Sequence, residues 1–330
     1  MDRLESFDSE VCGAAALDDL SSDKVRRFVI IAREARGLSL SEDAPMSQAL
    51  EELGLLRQGL PTNAAVLLFG LSPQGPFPSA RIECTHLEEG RENKPLVCGG
   101  TVFEAIDQAM YFVLSRIRLP AEVVREGVVN AVAHRDYEEP GRIEIRVFQD
   151  RLEVRNPGAL PPALSLEKLR QPHSSVPGNP LLAEALYLAT YRASKGAGTD
   201  GMVAGCRQAG LPEPEFQQAG GFAVTLRLKP ALDPSPGDEA AGSPAAPPAA
   251  SQLSPQLLAL VSLLGQAGAL GNAEMLERLG LKDRVNLHKH YLKPALAAGL
   301  IEPTIPDKPN SPLQKYRLTA KGRALLPSRL

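Results

Sequence analysis

The chain has 330 residues, no tryptophan, 29 prolines and a formal net charge of −3 at neutral pH. This length is enough for two or three domains with a sizeable hydrophobic core. No apolar run approaches the roughly 20 residues that a membrane-spanning helix needs. The acidic, polar residues Met1–Glu10 are not typical of a signal peptide. The sequence therefore excludes a membrane protein and favours a cytoplasmic one.

The cysteines are widely separated in the sequence and form no C-x-x-C pair; they are Cys12, Cys84, Cys98 and Cys206. Zinc sites and disulfide frameworks use closely spaced or paired cysteines. We therefore expect neither in this chain, and a reducing compartment fits best.

Residues 1–118 are predicted to form a small N-terminal α/β domain. Apolar residues recur with helical spacing in three segments, Ser22–Arg36, Ser47–Leu56 and Thr101–Ile117. Two apolar segments, Asn63–Gly70 and Ser79–His86, are predicted to be strands.

Residues 119–229 are predicted to form a second α/β unit that carries the chemistry. Pro120 opens a helix at a position where its missing N–H costs little. Strands are predicted over Arg142–Phe148, Arg151–Arg155 and Gly220–Leu228, and helices over about Asn179–Leu188 and Asp200–Ala209.

Residues 230–254 are rich in proline, alanine, glycine and serine and have no apolar period. Such a segment buries too little surface to offset its ordering entropy. We predict a disordered linker that separates the second unit from the C-terminal residues.

Residues 255–330 are predicted to form three helices, a two-stranded wing and a short final helix. The predicted helices are Gln256–Gln266, Ala273–Leu279, Arg284–Ala298 and Ala320–Leu326, and the strands are Leu300–Thr304 and Gln314–Thr319. Eleven basic against five acidic side chains give this stretch a net charge of +6, which leaves −9 for the preceding residues. A basic end indicates polyanion binding, although a solvated charged surface explains it equally.

Glu126 and Asn130 lie four residues apart on one predicted helix, so their side chains project in the same direction. A carboxylate can activate a water molecule, and an amide oxygen can ligand Mg²⁺. A solvated surface pair is the alternative, because helices contain such pairs constantly.

Five linked motifs supply further support; they are EGVVNAVAHRDY, NPGALPP, HSSVPGNPLLAEALY, KGAGTDGM and AGLPEPEF. Their order and spacing resemble the GHKL-type ATPase domain called RecG-like C-terminal, found in prokaryotic ATP-binding transcriptional regulators. In many such proteins a Schlafen AlbA-type domain precedes it. The resemblance runs from about Ser6 to the end and implies an N-terminally shortened member. The implied fold is α+β: a Bergerat-type α/β sandwich with a mixed sheet, preceded by a small α/β domain and followed by a winged helix.

The resemblance also implies a site for ATP and Mg²⁺. Glu126 would match the water-activating acid, and Asn130 the Mg²⁺ ligand. Asn156 and Gly158 fall where GHKL proteins place an Asp and a Gly around the adenine. The glycine box would be Gly196, Gly198 and Thr199, with Lys195 as a further phosphate contact. A helix cap and turn is the alternative interpretation of these glycines, and Lys195 fits a solvated side chain equally well. His134, Arg135 and Asp136 continue the H-R-D-Y motif, with no role assigned.

The C-terminal module resembles a winged helix. Residues of its third helix that could read DNA are Arg284, Asn286, Lys289 and Lys293, and those of its wing are Lys308, Lys315 and Arg317. Contacts with another protein are the alternative use of such a module.

Three functions follow from these patterns. The first is a regulator that binds ATP and DNA; slow ATP hydrolysis used as a timer would merge it with the second. The second is a Mg²⁺-dependent ATPase that works as a homodimer. The third is a pseudo-ATPase that acts as a protein-interaction module; the short join between Arg118 and Pro120, where relatives have a longer segment, favours it. A helicase motor is excluded, because the chain has no Walker A sequence and no Gly-Lys dipeptide.

Overall fold

The computed structural model describes residues 6–88, 91–160, 164–171, 177–193, 199–228, 260–261, 263–265, 268–278, 287–304, 314–319 and 321. These residues fall into two compact units, one over 6–228 and the other over 260–321. Across the described ranges, no helix has the length and apolar character needed to cross a bilayer.

The first unit is built around a mixed sheet. Its strands are β3 (Ile82–Glu88), β4 (Arg91–Glu92), β5 (Leu96–Cys98), β6 (Ile143–Val147), β7 (Arg151–Asn156), β8 (Glu215–Gln218) and β9 (Phe222–Arg227). They pair in the order β4-β3-β6-β7-β9-β8, with β5 also on β3. The pairing of β3 with β6 is parallel, and the other pairs are antiparallel. A small separate hairpin joins β1 (Leu56–Arg57) to β2 (Leu60–Pro61). This architecture confirms the α+β part of the predicted fold class.

The first unit also contains seven described helices, and two of them, Val102–Leu114 and Ala121–Ala133, pack against strands of the sheet. They are α1 (Ser22–Arg36), α2 (Met46–Glu52), α3 (Asn63–Phe69), α4 (Val102–Leu114), α5 (Ala121–Ala133), α6 (Pro180–Leu188) and α7 (Asp200–Gln208). Short 3₁₀ turns lie at Phe7–Ser9, Leu17–Asp19 and Lys168–Arg170. α4 begins with a reciprocal cap, in which Thr101 Oγ1 accepts from Glu104 N and Glu104 Oε2 accepts from Thr101 N.

Helix α5 is central to this unit and follows its predicted pattern. Pro120 precedes its first residue, and the apolar stripe Val124, Val128 and Val132 is buried. The helix packs against β7 of the sheet and beside α4, α6 and α7. Burial of this stripe therefore fixes which face of α5 is left for Glu126 and Asn130.

The boundary predicted between residues 118 and 119 does not separate two units. β3 from the predicted N-terminal domain pairs in parallel with β6 from the predicted ATP-binding domain, with Cys84 opposite Ile145. One continuous hydrophobic core includes residues from both sides of the boundary. The physical reason is that β6 requires a partner on each side, and β3 supplies one of them.

The strand predicted over Asn63–Gly70 is wrong, because these residues form α3. Thr62 caps the helix by accepting a hydrogen bond from Ala65 N at 3.2 Å. All seven residues of α3 are buried. A helix that is apolar on every side shows no 3.6-residue period, so its sequence resembles that of a buried strand.

Two cysteines that are distant in sequence come together in the first unit. Cys84 on β3 and Cys98 on β5 are both buried, and their sulfur atoms lie 3.8 Å apart as free thiols. The described residues contain no group of three or more His, Cys, Asp or Glu side chains arranged to hold a metal ion.

The second unit has its own core and a small antiparallel sheet. Its described elements are helical residues at 260–261 and 263–265, β10 (Leu270–Gly271), α8 (Asn272–Arg278), a π-helical turn (His288–Leu292), α9 (Lys293–Ala297), β11 (Ile301–Pro303) and β12 (Lys315–Leu318). The strands pair in the order β10-β12-β11. Buried residues such as Leu260, Met275, Leu292 and Tyr316 form the core. β10 was not predicted, and the predicted final helix lies outside the described residues apart from Lys321.

Candidate functional site

A pocket opens in the first unit between helix α5, helix α7 and strands β7 and β9. Its wall combines apolar side chains with a few polar groups. The lining residues are Gly127, Asn130, Ala131, His134, Val154, Asn156, Gly158, Ala159, Leu160, Leu164, Leu169, Thr199, Met202, Phe222 and Val224. A mostly apolar cleft with convergent polar groups is the usual form of a small-molecule site.

Asn130 and Glu126 face the same side of α5, as predicted. Asn130 Nδ2 donates a hydrogen bond to Glu126 Oε1 at 3.1 Å. The opposite atom of the amide, Asn130 Oδ1, is buried and has no hydrogen-bond partner among the described residues. Because the amide nitrogen is committed to Glu126, this carbonyl oxygen is left as an unsatisfied acceptor in the wall of the pocket.

Glu126 lies in a buried environment beside an arginine. Arg192 Nη2 is 3.8 Å from Glu126 Oε1, and the Arg192 side chain is only 4% exposed. Burial raises the pKa of Glu126, whereas the charge of Arg192 and the hydrogen bond from Asn130 act against that rise. Asp200 at the start of α7 pushes the pKa of Glu126 further up. Sequence reasoning missed Arg192, because 66 positions separate it from Glu126 and it belongs to no motif.

Asn156 and Gly158 lie at the end of β7 and line the same pocket. Asn156 is buried, and its Nδ2 donates to Ala131 O at 3.4 Å. A Cβ atom on Gly158 would lie 2.7 Å from His134 O, so a larger residue does not fit there. The structure therefore places both predicted base-contacting residues in the same pocket as Asn130.

The rim of the pocket is formed by the chain after β7. Gln218 on β8 holds this rim, since its Oε1 accepts from Leu160 N at 3.0 Å and its Nε2 donates to Gly221 O. Thr199 lines the pocket, but its hydroxyl donates to Leu169 O. Of the predicted glycine box, Lys195, Gly196 and Gly198 lie outside the described residues.

The H-R-D-Y motif has a structural role that the sequence did not indicate. The Arg135 side chain is buried and its Nη2 donates to Ser79 Oγ, Glu139 O and Gly141 O. The Tyr137 ring stacks on Phe7 with centroids 5.5 Å apart, and its hydroxyl donates to Val132 O. These contacts fix the chain that leaves α5.

Asn179 anchors the same region and was also missed. Its Nδ2 donates to Ala133 O at 3.2 Å and to Arg135 O at 2.7 Å, and the residue is 2% exposed. The acceptors are carbonyls at the C-terminal end of α5, which lack helical partners. An asparagine directly before a proline was the available sequence signal, but only the tertiary fold shows what it contacts.

The predicted nucleic-acid residues of the second unit are partly engaged in ion pairs. Lys315 Nζ lies 3.6 Å from Glu274 Oε2, and Arg317 Nε lies 2.8 Å from Glu302 Oε1. Lys293 is exposed. Arg284, Asn286 and Lys308 lie outside the described residues, and so does the side chain of Lys289.

Comparison with protein families gives two matches. Residues 141–226 match the family described as "Putative ATP-dependent DNA helicase recG C-terminal", and residues 255–319 match "Filamentation induced by cAMP protein Fic-like, C-terminal domain". The first match covers β6 to β9 and includes Asn156 and Gly158. The first unit therefore contains an ATPase-like domain, a class for which nucleotide binding is the expected activity. A comparison with curated proteins gave no match.

Comparison with solved structures shows a shared fold. The DIP2311 protein from Corynebacterium diphtheriae is 19% identical with a TM-score of 0.54, over 98% of this chain and 56% of that one. This chain thus spans little more than half of that relative. A Fic family protein from Desulfovibrio desulfuricans G20 is 13% identical over 91% of this chain and 87% of that one, but its TM-score is 0.22.

Proposed function

We propose that the first unit binds ATP together with Mg²⁺ in the pocket between α5, α7 and β9. The observation that carries this proposal is the buried, unsatisfied Asn130 Oδ1 beside the Glu126 carboxylate. A buried acceptor without a partner costs free energy, and a bound cation would remove that cost. Amide oxygens are suitable ligands for Mg²⁺.

The apolar part of the pocket suits a nucleobase. Val154, Met202 and Phe222 offer an apolar surface, and the buried Asn156 amide offers a hydrogen-bonding group in the same lining. The match to an ATPase-like family over residues 141–226 supports adenine as the base. Because Asn156 stands where such proteins place an aspartate, its amide replaces the usual carboxylate as the hydrogen-bond partner.

Slow hydrolysis of ATP is the chemistry that the polar end supports. When bound, Mg²⁺ would neutralise phosphate charge. Glu126, held by Asn130 and Arg192, is the group that would orient and deprotonate the attacking water. A regulator that binds ATP and hydrolyses it slowly, as a timer, combines the first two predicted functions. The missing Walker A sequence argues against a helicase motor whatever the family name.

Calorimetric titration with a non-hydrolysable ATP analogue, with and without Mg²⁺, tests this proposal. We expect saturable, Mg²⁺-dependent binding that Asn130→Ala abolishes and Glu126→Gln retains, while Glu126→Gln stops phosphate release with ATP. Asn93→Ala, which removes an exposed amide, is the matched control. Absence of binding at millimolar analogue by the folded protein would refute the proposal and leave the pseudo-ATPase as the better description. Light scattering with and without analogue tests the expected homodimer.

A second candidate function, DNA binding by the second unit, rests on its net charge of +6 and its helix-and-wing arrangement. In this proposal the unit is a winged helix, in which the helix predicted over 284–298 enters the major groove and the predicted wing contacts phosphates. Because Lys315 and Arg317 form ion pairs with acidic neighbours, the exposed Lys293 is the described residue best placed to offer its full positive charge to DNA phosphates. Binding of duplex DNA should weaken with salt, and Lys293→Glu should reduce the salt slope by about one. Unchanged binding after removal of residues 255–330 would contradict this role.

A further inference from the structure

We propose that Cys84 and Cys98 form a redox-active dithiol, which a hydroperoxide oxidises to an intramolecular disulfide and thiols reduce again. Formation of that disulfide displaces the edge strand β5 from its neighbour β3. The inference goes beyond the proposed ATP site and does not depend on it, because neither cysteine lines the pocket. The modified group is the thiol pair, and its substrate class is the hydroperoxides.

The first observation is the contact between the two thiols. Their sulfur atoms lie 3.8 Å apart, and both side chains are fully buried. The remaining cysteines, Cys12 and Cys206, are also free, but the described residues contain no second contact between two thiols. A thiol that is oxidised beside another thiol is captured as a disulfide. The pair therefore has a route to a reversible product that Cys12 and Cys206 lack.

The second observation is the position of the pair in the sheet. Cys98 on β5 stands opposite Ile82 of β3, and Cys84 lies two residues further along β3 on the same face. The cysteines are therefore diagonal neighbours. Such residues are typically about 7–8 Å apart, whereas a disulfide joins Cα atoms about 4.4–6.8 Å apart. Because the diagonal spacing exceeds the range of a disulfide, the bond requires the backbone of one strand to move.

The third observation is that β5 is the strand that can move. β3 pairs with β6 over five residues, whereas β5 has three residues and, among the described strands, pairs with β3 alone. Leu96 and Val97 of β5 are 43% and 40% exposed. A short segment with few buried contacts opens at a low cost in free energy. Opening of β5 therefore gives an oxidant access to thiols that are buried in the closed sheet.

The chain directly after β5 is held by hydrogen bonds, which confines the movement to the strand. Gly100 N donates to Gln74 Oε1 at 3.0 Å, and Gln74 Nε2 donates to Gly100 O at 2.8 Å. The reciprocal cap of Thr101 and Glu104 follows at once. The disulfide therefore shifts Leu96–Cys98 and leaves helix α4 in place.

The oxidation is balanced with a hydroperoxide as the co-reactant. Contact with Cys84 lowers the pKa of Cys98, whereas contact with Cys98, together with burial, raises the pKa of Cys84. The Cys98 thiolate attacks the O–O bond and becomes a sulfenic acid, and the other oxygen takes up a proton and leaves as an alcohol or water. The Cys84 thiol then attacks the sulfenic sulfur, forms the S–S bond and expels water. The two thiols lose two electrons and two protons in total, and the peroxide takes up both.

Peptide mapping of the full chain after treatment with hydrogen peroxide tests the pair. Trypsin cleaves after Arg91, between the two cysteines, so the disulfide joins two peptides that dithiothreitol separates. We expect two of the four thiols to be lost and the joined peptide to appear, while Cys12 and Cys206 stay reduced. Cys84→Ser should abolish the joined peptide and leave Cys98 as a sulfenic acid that dimedone labels. Cys206→Ser, which changes another buried cysteine, is the matched control and should retain the joined peptide.

Hydrogen–deuterium exchange of the same samples tests the displacement of the strand. In the oxidised protein the amides of β5 should exchange at least about tenfold faster than in the reduced protein, those of β7 should be unchanged, and dithiothreitol should restore protection. Separate sulfinic acids at Cys84 and Cys98, or a joined peptide found only in a covalent dimer, would overturn the proposal. An intramolecular disulfide with unchanged exchange in β5 would overturn the displacement. These measurements use the parent chain, so they decide the matter even if Cys84→Ser fails to fold.

Discussion

Replacing Asn179 by alanine should lower the free energy of unfolding of the first unit by about 2–3 kcal/mol. The side chain donates to two buried carbonyls, Ala133 O and Arg135 O. Ala133 O keeps one partner in the variant, because Asn179 N also donates to it at 3.1 Å. Arg135 O, whose bond of 2.7 Å is the shorter, loses its donor and carries most of the cost. The expected loss in the free energy of unfolding is therefore smaller than twice the cost of leaving one buried group without a hydrogen bond.

Urea denaturation measured by circular dichroism gives this quantity. With a denaturant slope of about 3 kcal/mol per molar for a unit of this size, the midpoint should fall by about 1 M at an unchanged slope. Affinity for the ATP analogue should fall as well, because the carbonyls belong to the end of α5 and the chain that follows it. Asn93→Ala, at an exposed position, should stay within about 0.5 kcal/mol of the parent protein.

Asn179→Asp supplies the decisive comparison. Its carboxylate retains the shape of the side chain but offers only acceptors to two carbonyl oxygens. We expect it to be less stable than Asn179→Ala at pH 7 and to recover partly in acid as the carboxyl becomes a donor. Equal stability of Asn179→Asp and the parent protein would refute the assigned hydrogen bonds.

Three further predictions concern other parts of the first unit. Burial raises the pKa of Asp107 to about 6 from an ordinary value of 3.8. Between these pH values the native state holds a proton that the unfolded state has lost, so the free energy of unfolding falls as pH rises, by up to about 3 kcal/mol. Asp107→Asn should remove this pH dependence in urea melts at pH 4 and pH 8, and an unchanged pH dependence would contradict the assignment. Gly158→Ala should cost about 1–3 kcal/mol and weaken analogue binding because its Cβ meets His134 O, whereas Gly178→Ala, with nothing within 4 Å, should be neutral in both assays. Thr190 has a φ of 66°, so Thr190→Gly should raise the thermal midpoint, by relieving about 1 kcal/mol of strain, and a lower midpoint would count against a strained turn.

Much of the pocket could be predicted because its chemistry is encoded locally. Glu126 and Asn130 are one helical turn apart, and the structure places them in hydrogen-bond contact. The family resemblance singles out Asn156 and Gly158, which stand at the end of a strand that the alternation of residues predicts. In each case the informative residues lie within a few positions of each other, where helix and strand geometry determine their directions.

The residues that hold the site could not be predicted, because their partners are distant in sequence. Asp8 illustrates this: it is fully buried, and its Oδ2 accepts from Leu182 N at the start of α6. Arg36 reaches Arg192 over 156 positions. Such contacts depend on how the helices pack, and no periodicity in one segment reports on its neighbour in space.

Two errors in the secondary structure predicted from the sequence have separate physical causes. α3 was taken for a strand because it is buried on all sides and has no polar face. β8 was missed because Glu215–Gln218 follows the segment AGLPEP, which has the composition of a loop. Its pairing with β9, rather than any strong propensity of its own, makes it a strand.

The parallel pairing of β3 with β6 determines how this protein can be divided. A fragment beginning at Leu119 would leave the backbone N–H and C=O groups of β6 bare along one edge, next to the apolar Ile143 and Ile145. Bare edges of this kind pair with other chains, so such a fragment should aggregate. Expression of the first unit alone therefore calls for a piece that runs from about Ser6 to Leu228. Any genetic rearrangement that transfers this unit to a new partner protein would have to carry the same residues together.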